Sequence, residues 1–335
     1  MRALSKATPV LKVLFGAAIV AWMVSSGKLN LAAVARSLAA WPMVLTMLAL
    51  GYFQVVLTAW RWSLLLRAQE IRLSFRQAWG LTMIGMLFNV VIPGAVGGDL
   101  IKGYYIARAA SDRKSHAATT IVMDRVTGLI GLLFVGAFMA LVNLGETLRS
   151  PATRSLGTMT VAGFLAGIGG LYAAVFAGGR LSGMHFFPGV LRDVFRALHD
   201  YRRQARAIPG ALALSVVNQG ITCGMYWLAL RAGGVTDMPV GAFFLVVPLG
   251  LVTTAIPISP AGVGVGQAAF FALFRVVAPR YAAAGADALT VLQVIFVVLC
   301  LSGLYWYISY KHLDLRAAEE KSAVLSPAQA AEPSL

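Results

Sequence analysis

The chain has 335 residues, of which 59% are hydrophobic and 12% charged, with a mean hydropathy of +0.77. Soluble domains carry about 25% charged residues, so a cytosolic globular enzyme is excluded. Continuous apolar runs likewise exclude a barrel of alternating segments of about 10 residues. The net charge of +15 does not require nucleic acid as a partner, because cytoplasmic loops of membrane proteins collect Lys and Arg.

Six apolar runs read as full transmembrane spans, at about 10–26, 43–61, 118–142, 156–178, 209–230 and 288–310. They reach or approach the roughly 20 helical residues that cross a hydrocarbon core of about 30 Å. Aromatic residues such as Trp41, Trp60, Trp62, Trp227, Tyr305 and Trp306 cluster at their ends, where interfacial belts sit. Two further segments are interrupted. Residues 79–92 are apolar, break at PGAVGGD and continue as a polar-studded 100–110; residues 241–256 are apolar, break at PISPAGVGVG and resume at 267–277. Their longer arms would reach only about 18–24 Å as helix. Both are read as re-entrant helical hairpins that leave the membrane on the side they entered.

Basic residues orient this arrangement. With the N-terminus inside, cytoplasmic segments hold 20 Lys and Arg, Arg61 among them, against 7 outside, the bias expected of cytoplasmic loops. Both termini are then cytoplasmic. The first half reads span, span, hairpin from inside, span; the second reads span, span, hairpin from outside, span. The expected fold class is thus an all-α polytopic membrane protein with six full spans and two re-entrant hairpins, arranged as an inverted repeat of two four-element halves. Residues 1–316 form a single membrane domain, with repeat 1 at about 10–143 and repeat 2 at about 156–310. Residues 1–27 also have the pattern of a signal peptide, but removing them would destroy the inverted match. Residues 188–206 place Leu191, Val194, Phe195, Leu198 and Tyr201 on one helical face and four arginines elsewhere, which suits either a helix on the anionic cytoplasmic leaflet or an ordinary basic connection. The Ala-, Glu-, Ser- and Pro-rich stretch 317–335 is expected to be disordered.

The sequence contains no GxxxxGK[ST], HExxH or GxSxG motif, so phosphate-loop ATP hydrolysis is not expected. Cys223 and Cys300 read as small core residues, the four histidines lack ligand spacing, and neither metal nor cofactor is called for. The run from Gly262 to Gly266 is too weak a pattern to argue a potassium filter. What remains is a set of polar groups at membrane depth: Asn89, Asp99 and Lys102 in the first hairpin, Ser259 and Gln267 in the second, and Asp124 and Arg125 opening the third full span. Such residues cost about 2.5–3.5 kcal/mol at a helix centre and usually face a cavity or a partner. Gly97 and Gly98 permit a tight turn, Asp99 can cap the helix that follows, and helix N-termini, Lys102 and Arg125 suit an anionic phosphate. The competing reading has Asp124, Arg125, Asp99 and Lys102 snorkelling and pairing at headgroup level. Gly262, Gly264 and Gly266 then serve close helix packing. Asn218, Gln219 and Gln293 are read as interhelical hydrogen-bond formers.

Three stretches carry a family resemblance: NVVIPGAVGGDLIKGYYIAR from Asn89 to Arg108, MDRVTGL from Met123 to Leu129, and IPISPAGVGVGQAAF from Ile256 to Phe270. The chain resembles the transmembrane, flippase-like domain of lysylphosphatidylglycerol synthases in its stand-alone form. The resemblance implies movement of a phospholipid between leaflets of a bacterial inner membrane. It also implies functional roles for Asn89, Pro93, Gly94, Gly97, Gly98, Asp99, Asp124, Arg125, Pro260, Gly262, Gly264 and Gln267. The bifunctional synthases carry a soluble aminoacyl-transfer domain, which this sequence is not expected to have. An acidic residue is usual in relatives where this chain has Gln267, which removes any carboxylate-dependent step there.

The expected function is therefore a non-enzymatic lipid translocase working without ATP hydrolysis. Its partners are membrane phospholipids and the anionic cytoplasmic leaflet, without nucleic acid. Gly and Ala faces leave a homo-oligomer open. The alternatives are a solute or ion-coupled secondary transporter and a membrane-embedded enzyme acting on a lipid or polyprenyl phosphate.

Overall fold

The computed structural model describes residues 21–22, 24–25, 30–91, 97–109, 114–183, 188–204, 206–254 and 262–329. Most of the span expected at 10–26 lies outside them. No strand occurs among the described residues. The helices are α1 (Leu31–Ala39), α2 (Trp41–Ala68), α3 (Phe75–Val91), α4 (Gly97–Ala109), α5 (Lys114–Val142), the short α6 (Leu144–Thr147), α7 (Pro151–Ser182), α8 (Gly189–Asp200), α9 (Ala207–Ala232), α10 (Val240–Thr254), α11 (Val265–Val277) and α12 (Ala282–Gln329). Among the described residues, five helical stretches are long and apolar enough to cross a membrane: α2, α5, α7, α9 and the stretch Pro279–Ser309 that includes the first part of α12.

Local chemistry sets several boundaries. Asn30 caps α1, its side-chain oxygen accepting the Ala33 N–H. Ser150 and Thr153 cap α7 reciprocally, and Pro151 occupies the first turn, where its missing N–H costs nothing. After α9, Gly234 turns the chain with φ +90°, a conformation open to glycine. α12 continues to Gln329, into the stretch read as a disordered tail; its Ala, Glu, Lys and Leu residues are good helix formers.

The two interrupted segments fold as packed helix pairs. α3 lies against α4 so closely that a Cβ on Gly98 would stand 2.1 Å from the Gly85 carbonyl oxygen. α10 lies against α11, with the Phe270 ring seated on Gly250. One core cluster joins Tyr226, Phe243, Phe270 and Phe274, the Tyr226 and Phe270 rings stacking at 4.9 Å and the Tyr226 hydroxyl donating to the Gly285 carbonyl. A second joins Leu65, Met123, Ile130, Leu171 and Tyr201, and a third Trp62, Ile71, Leu81, Ile84 and Ile106. Large apolar side chains such as Phe138, Leu141, Leu165, Phe176, Leu301 and Tyr305 remain exposed, as a lipid-facing surface requires.

The expected amphipathic segment is α8 and the turn Tyr201–Gln204, and protein covers much of its apolar face. Ala197 and Tyr201 are fully buried, and α8 packs on α5 and α7 with the Phe195 carbonyl over Gly178. His116 Nε2 and Asp200 meet at 3.1 Å, tying the segment to α5. Burial pushes the Tyr201 phenol far above its ordinary pKa, so it stays protonated. Arg196 and Arg203 are largely exposed and pair with Asp193 and Asp200 of the same segment.

Candidate functional site

A cavity of about 520 Å³ opens between α2, α3, α4, α5, α9, α10 and α12. Each long wall is a helical stripe with spacings of three and four residues, which keep side chains on one face. α2 contributes Gln54, Thr58 and Arg61; α12 contributes Leu292, Gln293 and Phe296; α9 contributes Asn218, Gln219 and Thr222. The first helix pair adds Asn89, Gly98, Asp99 and Lys102, and α5 adds Asp124 and Arg125.

Two ion pairs organise the charged end. Arg61 Nε donates to Asp124 Oδ1 at 2.7 Å, and its Nη1 donates to Ser215 Oγ at 2.9 Å. Both side chains of this pair are nearly buried, at 8% and 12% exposure. Arg125 Nε donates to Asp99 Oδ2 at 2.7 Å, with Arg125 46% exposed, so this second pair stands at the mouth. Lys102 lies between the pairs, and its ammonium is 4.7 Å from the centre of the Trp62 ring. A Cβ on Gly128 would meet the Arg61 guanidinium at 3.2 Å, so glycine there makes room for the deep pair.

A neutral tier lies about 10 Å along α2 from Arg61, two helical turns away. Gln54 Nε2 donates to the Asn218 carbonyl at 2.9 Å and to Thr222 Oγ1 at 2.6 Å, and Gln219 Nε2 donates to the Gly128 carbonyl at 3.3 Å. The Gln219 and Gln293 side chains thus bridge helices, as read from sequence, while also lining the cavity; Asn218 lines it too, but bridges to Gln54 through its backbone carbonyl, and its side-chain oxygen has no hydrogen-bond partner.

The sequence-selected residues divide. Asn89, Gly98, Asp99, Lys102, Asp124 and Arg125 share the cavity, and the Asn89 side-chain oxygen accepts the Gly98 N–H at 2.8 Å. Gly97 is buried at the start of α4 without lining it. Gly262 and Gly264 stand behind the wall with φ of +71° and +82°, so the chain trajectory needs them. Gln267 is also off the lining: its oxygen accepts the Gly264 N–H at 2.7 Å and its nitrogen donates to Thr290 and Gln293. The α10–α11 pair reaches the cavity through Leu251 and Thr254 instead. Pro93, Gly94 and Pro260 lie outside the described residues. Sequence reasoning missed Gln54, Thr58 and above all Arg61, which was assigned to a cytoplasmic segment and is instead buried within α2. Their 54, 58, 61 spacing on an otherwise apolar helix was the available signal. Among the described residues no three His, Cys, Asp or Glu side chains come together; the cavity carboxylates pair with arginine.

A family profile described as the lysylphosphatidylglycerol synthase TM region matches residues 10–303. The chain belongs to this family. A UPF0104 membrane protein of Methanothermobacter thermautotrophicus is 26% identical over 177 residues, covering 50% of this chain and 50% of its own length. The match thus spans about half the length of that curated relative. No solved structure matches. Family and apolar helices together make this a multi-pass membrane protein.

Proposed function

We propose that this member of the lysylphosphatidylglycerol synthase TM-region family is a non-enzymatic lipid translocase, moving a phospholipid or related headgroup between leaflets without ATP hydrolysis. One observation carries the reading: five ionisable side chains face a cavity of about 520 Å³ inside a bundle whose outer surface is apolar. Charge at membrane depth is expensive and is kept where it meets a polar ligand or pathway. The headgroup would enter past Arg125 and Asp99, rest among Lys102, Asn89 and the N-terminal turn of α4, and leave its acyl chains in lipid. Asp124, with Arg61, fixes the floor. Pro93, Gly94 and Pro260 are assigned to the helix breaks, and Gly97, Gly262, Gly264 and Gln267 to holding the arms beside the site.

The α3–α4 and α10–α11 pairs are read as re-entrant hairpins of an inverted repeat within one domain, and interrupted helices in corresponding positions are the usual pointer to a transporter site. The sixth span belongs to residues 10–26, both termini face the cytoplasm, and the location is a bacterial inner membrane. Partners are phospholipids, with the exposed arginines of α8 and its following turn toward the anionic leaflet. An ion-coupled solute transporter is the second reading, favoured by the neutral amide tier, which would suit a small polar solute.

The test is leaflet-to-leaflet movement of headgroup-labelled phospholipids in proteoliposomes, with Arg125→Ala as the site variant. Rapid movement by wild type and its loss in a folded Arg125→Ala protein is the expected result. Wild-type movement in that variant would overturn the role of Arg125, and no movement of any phospholipid would overturn the translocase reading.

A further inference from the structure

We propose that the chain holds a second lipid site, apart from the central cavity: a cleft between the end of α7 and the turn after α8. It seats the phosphodiester of an anionic phospholipid between Arg180 and Arg202, with an acyl chain along α7. The cleft measures about 520 Å³ and shares no lining residue with the central cavity. Helix packing builds it. Gly179 lets the His199 ring sit against α7, since a Cβ there would stand 2.9 Å from the imidazole Cε1 and Nε2. The buried Tyr201 anchors the turn Tyr201–Gln204 that carries Arg202. His199 Nδ1 meets the Val175 carbonyl at 3.1 Å, which makes Nδ1 the donor and leaves Nε2 as an acceptor 3.4 Å from Arg202 Nη1. The Arg202 guanidinium also lies 5.4 Å from the centre of the Phe176 ring. Neutral groups thus hold Arg202 in place and leave its charge uncompensated.

Charge and shape specify the ligand. Neither Arg180 nor Arg202 makes an ion pair among the described residues, and the acidic residues of α8 are taken, Asp200 by His116 and Arg203, Asp193 by Arg196. Two guanidinium forks on one cleft suit the oxygens of a phosphate, and basic pockets beside transmembrane helices bind anionic lipid headgroups. The phosphate belongs to a lipid because the cleft opens onto an apolar stripe. Tyr172, Phe176 and Arg180 follow at intervals of four residues and share one face of α7. The two rings stack at 6.1 Å and are 41% and 58% exposed. Ala173 and Ala177 line the cleft beside them and leave room for an acyl chain. The stripe runs about 12 Å from Arg180 back to Tyr172, along a helix long and apolar enough to cross a membrane. A free phosphate would engage the arginines and leave that stripe bare.

The test is photolabelling of the full chain in phosphatidylcholine nanodiscs, using phosphatidylglycerol with a diazirine near the top of one acyl chain. Labelling of residues 172–180 is read by mass spectrometry against the exposed Phe138–Leu141 face of α5, which reports ordinary lipid contact. Wild type should label 172–180 in excess of that reference, and a phosphatidylcholine probe should not. Arg180→Gln with Arg202→Gln should cut the excess about tenfold, in line with about 1 kcal/mol per basic residue at a membrane surface. Both arginines are exposed, so the double variant should keep the wild-type unfolding midpoint. Arg196→Gln, which changes an exposed arginine outside the cleft, should leave the excess intact. Equal labelling by the two probes would overturn the inference, as would an unchanged excess in the folded double variant or an equal loss in Arg196→Gln. Suppression of the labelling by soluble glycerol phosphate would overturn the assignment to a lipid. The inference does not depend on the translocase reading: selective labelling without leaflet movement leaves this site standing, and leaflet movement without it leaves only the translocase.

Discussion

The deep ion pair gives the sharpest stability prediction. Replacing Arg61 with Met strands Asp124, whose side chain is 12% exposed, and removes the donor to Ser215. Breaking a buried pair from one side costs about 3–5 kcal/mol. Lys102 and Arg125 remain nearby and share the cavity, which places the expected loss at the lower end, about 3 kcal/mol. Asp124→Leu strands the guanidinium instead and should cost a similar amount. The double variant, Arg61→Met with Asp124→Leu, removes both charges and should lie within about 1 kcal/mol of wild type, since apolar replacement of a buried pair is often neutral. The coupling in the cycle is then several kcal/mol, far above the roughly 0.3–0.5 kcal/mol of independent sites. Arg61→Lys should not rescue, because one ammonium cannot reproduce the fork that reaches Asp124 and Ser215 together. Reversible unfolding of the full chain in mixed micelles, followed by tryptophan fluorescence, measures all four. Single variants within 0.5 kcal/mol of wild type, roughly the additivity error, would refute the reasoning.

Other contacts make narrower predictions. Gly98→Ala would put a methyl 2.1 Å from the Gly85 carbonyl oxygen, forcing the α3 and α4 backbones apart at about 1–3 kcal/mol. Gly145→Ala, with nothing within 4 Å, should leave the unfolding midpoint unchanged. Gln267→Leu should lower stability by about 1–3 kcal/mol through the unpaired Gly264 N–H, measured as a shift of the unfolding midpoint. Cross-linking Gly103→Cys to Ile121→Cys with a short cleavable bis-thiol reagent, where a Cβ at 103 would stand 3.4 Å from the Ile121 Cδ1 across α4 and α5, should halt lipid movement until the link is cleaved; uninhibited movement would show that this seam stays shut.

The helix arms were legible because Pro and Gly interrupt apolar runs: the reading of 241–256 and 267–277 meets Val240–Thr254 and Val265–Val277. Asn89, Asp99, Lys102, Asp124 and Arg125 stood out because polar groups are rare in such runs, and the fold gathers them on one cavity. Arg61 was hidden by its position. It lies at the end of an apolar window, where counting basic residues assigns it to a loop, although α2 continues to Ala68. Gln267 misled in the other direction: its polarity looks like a ligand group, but it is absorbed by capping α11 and bridging to α12. For α8, periodicity showed that one face is apolar but carried no information on what covers it, and helices α5 and α7 do so.

The two cavity ion pairs share a 2.7 Å contact but differ in energetic role because they differ in exposure. Arg61 and Asp124 sit between α2 and α5 with Ser215 of α9 as a third partner, and glycines at 128 and 131 bring these helices close. Separating them would expose a desolvated pair and undo close packing together. Arg125 and Asp99 join α5 to α4 at the mouth, where a 46% exposed guanidinium is already solvated and a pair of this kind is worth about 0–1 kcal/mol. Opening the α4–α5 seam therefore costs far less than opening the α2–α5–α9 floor. An incoming phosphate can compete with Asp99 for Arg125 there, because the pair it opens is already solvated. A rigid charged floor beneath an exchangeable charged mouth admits a headgroup without unfolding the site that reads it.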